Sequence, residues 1–418
     1  MKKKKGVAAL AERARVSGHS GKPVKSGKPA KSGKPGQPGQ SSGMPERDVF
    51  SDYTMIFVVM FLLVIGLVAL YSTSSYEAAL DYNGDSFYYL KRQLIFSVMG
   101  LVAMLLISRI PVTFYRPIAT YIYAFSVLLV LLIVPFGYES NGAKRWINLG
   151  FFNIQPAEVS KIAVILMTAA IIYDFGAKGL DNIKAMVRVL LPAAFQCVLI
   201  YLITSNLSSA IIIFAIAFFM YFVACKSVKP FVVLTGVIAA LAGVFLYLTV
   251  SGKLEGFRSD RILAWLNPEA YSSTTSFQTL QALYAIGSGG LFGKGLGQSV
   301  QKLGYLPEAQ NDMIFSIICE EMGIFGAVGI ILLFLFLIWR LVVIASNCKN
   351  LYSAIIVVGV TAHIAVQVVL NIAVVTNTIP NTGVSLPFIS YGGSAIVLLL
   401  TELGVVLSVA RYQADEDE

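Results

Sequence analysis

The segment that decides the fold is GYLPEAQNDMIF, residues 304–315, where a long polar stretch passes into an apolar run. The polar stretch extends from about Gly252 to Glu321 and is the only long polar segment between hydrophobic runs. Asp312 lies at the junction, so the sequence places a carboxylate where a loop enters a membrane helix. Such an aspartate is often only a helix N-cap. A catalytic base is the alternative that the loop residues leave open.

The composition is typical of an integral membrane protein. Of 418 residues, 56% are hydrophobic and only 13% are charged, whereas about a quarter of the residues in a soluble domain are charged. Repeated apolar runs of about 18 or more residues predict an all-α polytopic membrane protein with about ten transmembrane helices. The predicted spans are residues 53–73, 90–108, 116–136, 157–173, 187–204, 206–225, 230–250, 312–339, 352–375 and 394–411.

The basic residues of the short loops predict the orientation in the membrane. Most fall in loops on the same side as the N-terminus, and only Lys91, Arg92, Lys144 and Arg145 fall in the short loops opposite. By the positive-inside rule, both termini are cytoplasmic. The large loop of residues 251–311, between the seventh and eighth spans, is then extracytoplasmic, as are the loops after the third and ninth spans.

The net charge of +9 is concentrated in the first 47 residues, which alone carry a net charge of +10. A Ser-Gly-Lys-Pro motif recurs there, and this composition predicts a disordered cytoplasmic tail. A clamp on anionic lipid or on a partner is the alternative, and we do not interpret the charge as a sign of nucleic-acid binding. Residues 48–411 form the predicted transmembrane domain, and residues 412–418 form a short acidic cytoplasmic tail.

Residue spacing argues against two common classes of site. The four cysteines lie in or beside apolar runs and form no CxxC pair. We therefore expect neither disulfides nor a zinc site. SGGLFGKG, residues 288–295, resembles a phosphate loop, but Gly295 stands where a hydroxyl should bind magnesium. We interpret this glycine-rich segment as a flexible loop that a bulky substrate can approach closely.

The loop after the third span carries NGAKRWINL, residues 141–149, with Lys144, Arg145 and Trp146 at its centre. Two cations beside an indole ring suit a diphosphate joined to a sugar. Ordinary anchoring at the membrane interface gives the same composition and is the alternative. The large loop adds Arg261 and Lys302 as cations near Asp312.

An uncharged segment rich in helix breakers, residues 378–394, follows the ninth span. Irregular backbone at membrane depth is tolerated only where it lines a cavity or is buried in protein. Ser390, Gly392 and Gly393 lie near its end, where hydroxyl and N–H groups could cradle a phosphate.

Two acidic residues inside the predicted spans, Glu158 and Glu320, have structural interpretations. Glu158 and Lys161 are three residues apart, so they are neighbours on one helix face and form an ion pair. Glu320 lies about 12 Å beyond Asp312 along the eighth span, where helix packing or an ion pair explains it. Glu402 is alone in the tenth span and has no predicted role.

The ninth span carries one polar stripe. His363, Gln367 and Asn371 recur every four residues and therefore lie on one face of the helix. Interhelical hydrogen bonding is the interpretation that such a stripe favours.

Three segments together resemble the SEDS family of shape, elongation, division and sporulation proteins. They are residues 141–161, with QPAE at 155–158, residues 261–323 around Asp312, and residues 380–394. The resemblance extends from about Tyr53 to Arg411. It departs at residues 205–209, SNLSS, where many members carry PDLGT, so no role is assigned to Asn206.

The resemblance implies an inverting peptidoglycan glycosyltransferase that polymerises lipid II and works with a class B penicillin-binding protein transpeptidase. The family's essential aspartate maps onto Asp312, its Glu/Lys pair onto Glu158 and Lys161, and its loop arginine onto Arg261. Residues 301–309 and the long tail favour the division branch, at the septum with divisome proteins, over the elongation and sporulation branches.

The expected substrates are lipid II and a glycan carried on undecaprenyl diphosphate. Asp312 is expected to deprotonate the 4-hydroxyl of the acceptor sugar. Cations or a divalent metal, Mg²⁺ or Mn²⁺, should neutralise the leaving diphosphate on the other side. The candidate cations, in falling order, are Arg261, Lys144, Arg145 and Lys302.

A lipid flippase is the alternative from a different class, since ten helices could also support transport. Transporters tend to place charged sites at the midplane between internal repeats. No repeated halves are visible in this chain, and its polar residues gather at one end of the predicted spans, which favours an enzyme.

Overall fold

The computed structural model describes residues 52–140, 143–150, 153–253, 256–272 and 276–415. Within these ranges, ten helices are long and apolar enough to cross a membrane, which confirms the predicted number of spans. The predicted basic tail, residues 1–47, lies outside the described residues.

The membrane helices follow the order of the predicted spans, and several extend further than predicted. The third crossing combines a 3₁₀ turn, Val112–Phe114, with α3 and the short α4. The helices are α1 (Tyr53–Asp81), α2 (Tyr88–Ile107), α3 (Tyr115–Leu131), α4 (Ile133–Phe136), α5 (Pro156–Gly179), α6 (Ile183–Thr204), α7 (Leu207–Ala224), α8 (Lys229–Val250), α11 (Ile314–Asn347), α12 (Leu351–Val375) and α13 (Ser394–Asp415).

The prediction of an all-α chain is correct for the membrane helices but misses a small antiparallel sheet. Its strands are β1 (Gly137–Ser140), β2 (Ala143–Asn148) and β3 (Asn153–Ile154), in the order β1-β2-β3. Two shorter helices, α9 (Phe257–Leu266) and α10 (Phe277–Gly289), lie between α8 and α11. The long polar loop therefore contains helices in its first half, whereas residues 290–311 are irregular.

Helices α12 and α13 form the centre of the bundle. In each, 67% of the apolar stretch is buried inside the protein, against 6% for α8. Helix α12 packs against α5, α7 and α11, and α13 packs along α2. The irregular segment 376–393, which joins α12 to α13, is therefore anchored at both ends in the most buried part of the molecule.

One buried ion pair lies near each end of the bundle. At one end, Arg340 of α11 donates to both carboxylate oxygens of Asp52, which precedes α1 and accepts from its first turn. At the other end, Lys302 Nζ lies 2.8 Å from Glu321 of α11 and 3.0 Å from Ser72 of α1. Helical rise separates the two ion pairs by about 30 Å along α1 and about 28 Å along α11, which is close to the thickness of a hydrocarbon core.

Helix α11 is broken at Gly323, whose φ of 65° lies in the left-handed region. The loop after α10 packs into the break, where Ile324 N donates to Gly290 O at 3.0 Å. A Cβ at position 323 would lie 2.4 Å from Gly293 N, so this close approach requires glycine. The break separates the first turns of α11, next to Asp312, from the part that crosses the bundle.

Candidate active site

Asp312 lies two residues before α11, at the end of the bundle opposite to Asp52. The cap of α11 is Met313, without a side-chain hydrogen bond, so the Asp312 carboxylate is not used as an N-cap. Its backbone carbonyl accepts a hydrogen bond from Asn371 Nδ2 at 2.8 Å. That bond ties the backbone of Asp312 to the buried helix α12 and leaves the carboxylate for chemistry.

Residues from two other segments approach the Asp312 carboxylate. Gln278 of α10 donates to Oδ1 at 3.5 Å. Gly383 lies on the other side, where a Cβ would be 3.6 Å from Oδ2. Asn381 Nδ2 donates to Gln278 Oε1 at 2.7 Å, and since that oxygen is occupied, the Gln278 N–H₂ group must face Asp312.

Burial raises the pKa of Asp312 to about 7, from an ordinary value of 3.8. The negative charge of Glu308 also raises this pKa, while a backbone hydrogen bond and the charge of Arg261 oppose the rise. A base is most effective when its pKa lies near the working pH. The environment of Asp312 thus suits a group that takes up a proton during a reaction.

Arg261 of α9 is held beside this carboxylate by the segment 376–393. Its Nη1 donates to the Asn381 carbonyl at 3.1 Å. Trp265 of the same helix donates to the Asn377 carbonyl at 3.0 Å. These two bonds dock α9 on the segment, and they bring the first of the predicted phosphate-binding cations close enough to lower the pKa of Asp312.

Lys302 is placed differently from its prediction as a substrate-binding cation. It is 8% exposed and forms a buried ion pair with Glu321, with Ser72 as a further partner. A buried carboxylate needs its counter-charge, so Lys302 is committed to Glu321. The structure argues against a role for Lys302 at a substrate phosphate.

The structure also argues against the predicted phosphate cradle before α13. The N–H of Tyr391 donates to the Gln310 carbonyl at 3.0 Å, and the N–H of Gly392 donates to the Gln93 side chain at 3.3 Å. Ser390 is buried, and its hydroxyl oxygen accepts from a backbone N–H of the same segment. These groups hold the segment in place, which is the physical reason why they are not available to an anion. Of the three residues predicted for the cradle, Ser390 and Gly392 are engaged in this way, and the assignment of Gly393 stays a prediction.

The cations of the hairpin lie on β2. Lys144 is exposed, whereas Arg145 and Trp146 are half-buried. Burial lowers the pKa of Arg145, and its buried Nε has no hydrogen-bond partner among the described residues. A buried guanidinium N–H without a partner is costly, and a bound ligand could satisfy it. The assignment of Lys144, Arg145 and Trp146 to substrate binding stays a prediction.

A family profile named FtsW/RodA/SpoVE, described as "Cell cycle protein", matches residues 53–415. The chain belongs to this family. Stage V sporulation protein E of Bacillus subtilis is 39% identical over 88% of this chain and 99% of its own length. The probable peptidoglycan glycosyltransferase FtsW of Trichlorobacter lovleyi is 36% identical over 88% of this chain and 94% of its own.

Two solved structures carry the FtsW/RodA/SpoVE fold. A chain of a peptidoglycan synthase complex, described for the coordination of polymerization and crosslinking, aligns with a TM-score of 0.69 at 25% identity, covering 87% of this chain and 98% of that one. The rod shape determining protein RodA of Thermus thermophilus aligns with a TM-score of 0.61 at 26% identity, covering 87% and 97%.

The acidic residues predicted to be structural in this member of the family all have partners. Glu158 and Lys161 form the expected ion pair at 2.7 Å, with Lys161 almost fully buried. Glu320 is fully buried, accepts from Lys294 Nζ at 2.7 Å and also accepts from Ser288. Their geometry fits supporting roles, which stay predictions for function.

One member of the polar stripe of α12, His363, makes the predicted kind of interhelical contact, whereas Gln367 and Asn371 bind backbone carbonyls of nonhelical segments. His363 binds Glu402 of α13, Gln367 binds the Ser385 carbonyl, and Asn371 binds the Asp312 carbonyl. The specific pairing of His363 with Glu402 was not predicted. It could have been, because a buried acid in a membrane span needs a partner and the predicted spans contain one histidine.

Gln278, Asn381 and Gly383 were missed, although the structure brings all three to Asp312. Uncharged residues in irregular segments leave no periodic signal in a sequence. Their position depends on how α10 and the segment 376–393 fold back on α11.

A metal site built from protein groups alone does not occur in the described part of the chain, where no three His, Cys, Asp or Glu side chains cluster. Glu308 is close enough to raise the pKa of Asp312. Mg²⁺ is commonly held by one or two carboxylates together with substrate phosphates. The expected divalent metal, Mg²⁺ or Mn²⁺, therefore stays a prediction.

Proposed function

We propose that this chain is a peptidoglycan glycosyltransferase that polymerises lipid II into glycan strands at the outer face of the cytoplasmic membrane. The observation that carries the proposal is the Asp312 carboxylate, with a pKa raised to about 7 and Arg261 beside it. Further support comes from relatives of nearly the same length that are named as probable peptidoglycan glycosyltransferases.

The proposed reaction is an inverting displacement with Asp312 as the base. Asp312 takes the proton from the 4-hydroxyl of the acceptor sugar, and the oxygen attacks C1 of the donor muramyl residue. The C1–O bond breaks, and undecaprenyl diphosphate leaves with the bonding electrons. Arg261 is the cation best placed to stabilise the negative charge that develops.

Other groups of this chain would assist in binding. Lys144, Arg145 and Trp146 would meet the diphosphate and a sugar, and Arg145 has a buried N–H that a ligand would satisfy. A divalent cation held by Glu308 and the diphosphate would further neutralise the leaving group.

The proposed partner is a class B penicillin-binding protein transpeptidase, and the proposed location is the division septum, with divisome proteins nearby. Support comes from the similarity to a chain in a peptidoglycan synthase complex. A specific observation also favours a sporulation role, because the relative named Stage V sporulation protein E is 39% identical, against 36% for the FtsW of T. lovleyi.

Purified protein incubated with lipid II, with and without the transpeptidase, tests the proposed reaction. Asp312→Ala should abolish glycan polymer while the protein stays folded, because the base that accepts the hydroxyl proton is lost. Asp85→Asn is a matched control, since Asp85 is an acid between α1 and α2 paired with Lys91. Full polymerisation by Asp312→Ala would refute the role of the aspartate, and lipid translocation without polymer would favour a flippase.

A further inference from the structure

Glu402 of α13 has no place in the proposed reaction, yet it is buried inside the bundle against His363 of α12. Glu402 Oε2 lies 2.7 Å from His363 Nδ1, and each side chain is 2% exposed. Ionisable residues inside a membrane span are expensive, and they are read as functional by default. The hydrogen-bond partners of the Glu402–His363 pair indicate its role.

The hydrogen bonds of Gln367 fix where the protons of the pair lie. Gln367 Nε2 donates to the Ser385 carbonyl at 3.0 Å, and a carbonyl can only accept, so Gln367 Oε1 faces His363 Nε2 at 2.8 Å. His363 Nε2 must therefore carry a hydrogen. The remaining proton lies between Nδ1 and Glu402. The pair is neutral overall, whether it is an imidazolium with a carboxylate or an imidazole with a carboxylic acid.

A second donor holds the same amide oxygen. Lys161 Nζ lies 3.4 Å from Gln367 Oε1 and 2.7 Å from Glu158. Lys161 is 1% exposed, and a buried ammonium group keeps its hydrogen-bond partners because losing them is costly. Donors from α5 and α12 thus fix the orientation of the Gln367 amide, and His363 supplies the shorter of the two bonds.

This hydrogen-bond network ends at the backbone beside Asp312. Gln367 holds the Ser385 carbonyl, and Asn371, one helical turn further, holds the preceding carbonyl at 2.7 Å. Asn371 also holds the Asp312 carbonyl. The next residue toward the N-terminus is Gly383, which lies against the Asp312 carboxylate.

We propose that Glu402 and His363 are positioning residues for Asp312, acting through Gln367 and the segment of residues 383–385. This proposal rests on the proposed function. Without Glu402, Nδ1 of His363 loses its partner, and the ring can turn about its Cβ–Cγ bond so that Nε2–H leaves the Gln367 oxygen. The Gln367 oxygen then keeps only the longer bond from Lys161, the amide holds the Ser385 carbonyl less firmly, and the backbone beside Asp312 loosens.

Nitrogen NMR of histidine tests the proton placement without any substrate. The chain has two histidines, His19 in the tail and His363, so ¹⁵N-histidine in a His19→Ala protein reports on His363 alone. We expect a protonated Nε2 in this protein and in Glu402→Gln, whose amide can donate to Nδ1. Glu402→Leu should show a neutral ring that keeps its hydrogen on Nε2 but whose N–H signal has lost the shift caused by the hydrogen bond to Gln367. An unprotonated Nε2 in the parent protein would overturn the proposal.

Hydrogen exchange of residues 381–386 and lipid II turnover test the positioning itself. In Glu402→Leu we expect exchange of this segment to rise about fivefold or more. We expect kcat to fall about tenfold or more with KM within about twofold, because the chemistry and not the binding loses its geometry. Glu402→Gln should keep at least about half of kcat, because it preserves the hydrogen bond to His363.

Two further variants complete the design. Thr401→Val is the matched control, since this hydroxyl bonds only to Val397 of its own helix in the described structure, and it should change neither readout. Gln367→Met breaks the network at a second point and must reproduce the loss even where Glu402→Leu fails to fold. Normal exchange and kcat in folded Gln367→Met overturn the proposal. Absence of polymer with the parent protein, together with the expected NMR and exchange results, would instead refute the proposed function.

Discussion

Asp312 is a carboxylate whose ionisation is opposed by its surroundings but not prevented. Burial and Glu308 favour the protonated form, while Arg261 favours the ionised form. Gln278 presents an N–H to the same carboxylate. Since the opposing influences leave the pKa at about 7, the group can exchange its proton within the physiological range.

The pH dependence of the reaction follows from that pKa. Only ionised Asp312 can accept the hydroxyl proton, so kcat/KM should rise with pH and level off above pH 7. At pH 6 it should be about a tenth of the plateau, because about a tenth of a group with this pKa is then ionised. Lipid II polymerisation measured from pH 5 to 9 checks this, and a profile that is flat below pH 7 contradicts it.

The same pKa can be measured through stability, independently of activity. Asp312 has a pKa near 3.8 in an unfolded chain and about 7 in the folded protein, so the folded protein holds this proton more tightly. Ionisation therefore weakens the folded state progressively as the pH rises from about 4 to 7, and the full loss is present above pH 7. Asp312→Asn should raise the unfolding temperature more at pH 8 than at pH 5, whereas Asp85→Asn should not.

Asp312 could be predicted from the sequence because a charged residue at the start of an apolar run is visible in one dimension. The pairing of Lys302 could not be predicted from sequence position alone. A lysine in a polar loop looks available to a substrate, but its pairing with Glu321 depends on how the loop after α10 folds back on α11. The environment of Gln278 was unpredictable for the same reason.

At the scale of elements, α10 and α11 are joined by two adjacent buried acids. Glu320 accepts from Lys294, and Glu321 accepts from Lys302, so each acid binds one lysine of the loop that follows α10. The break at Gly323 lets that loop pack directly against the helix backbone. The joint sets the position of α10, which carries Gln278 to the Asp312 carboxylate.

Removal of one lysine should reveal this joint. Lys302→Met leaves Glu321 buried without its counter-charge, and breaking a buried pair in this way costs about 3–5 kcal/mol. The free energy of unfolding in detergent micelles measures the loss. The double variant Lys302→Met/Glu321→Gln should recover more than half of it, since no charge then remains unpaired.

An exposed ion pair gives the control for that experiment. Lys91 and Asp85 have side chains 63% and 39% exposed, so Lys91→Met should change stability little. A different outcome for Lys302→Met, with stability unchanged and the KM for lipid II raised, would restore the original prediction that Lys302 binds substrate.

The elements themselves were predictable to very different degrees. The ten spans follow from apolar length, because a bilayer demands a minimum run of apolar residues. The sheet of residues 137–154 was missed, since strands of two to six residues carry too few alternations to give a period. Helix α10 was missed because its 13 residues are too few to cross a membrane, and it was counted as part of the polar loop.

At the scale of the whole molecule, the bundle has two chemically different ends. One end carries the Asp52–Arg340 pair, and the other carries Asp312. Asp312 is bonded to Asn371, which lies about 30 Å along α12 from Leu351 at the first end. That distance equals the thickness of a hydrocarbon core, so Asp312 lies at a membrane boundary, where the diphosphate of a lipid-linked sugar would also lie.

Which boundary this is can be decided by labelling. The positive-inside rule puts the Asp312 end outside the cell, and the proposed substrate requires the same side. Gln298 is exposed in the loop between α10 and α11, and Asn347 is exposed at the opposite end of α11. A membrane-impermeant maleimide applied to intact spheroplasts should label Gln298→Cys at once, and Asn347→Cys only after permeabilisation. The unsubstituted protein is the control, because its four cysteines are buried or half-buried. Labelling of Asn347→Cys alone would put Asp312 on the cytoplasmic side, out of reach of an extracytoplasmic transpeptidase, and the proposed polymerisation at the outer face would fail.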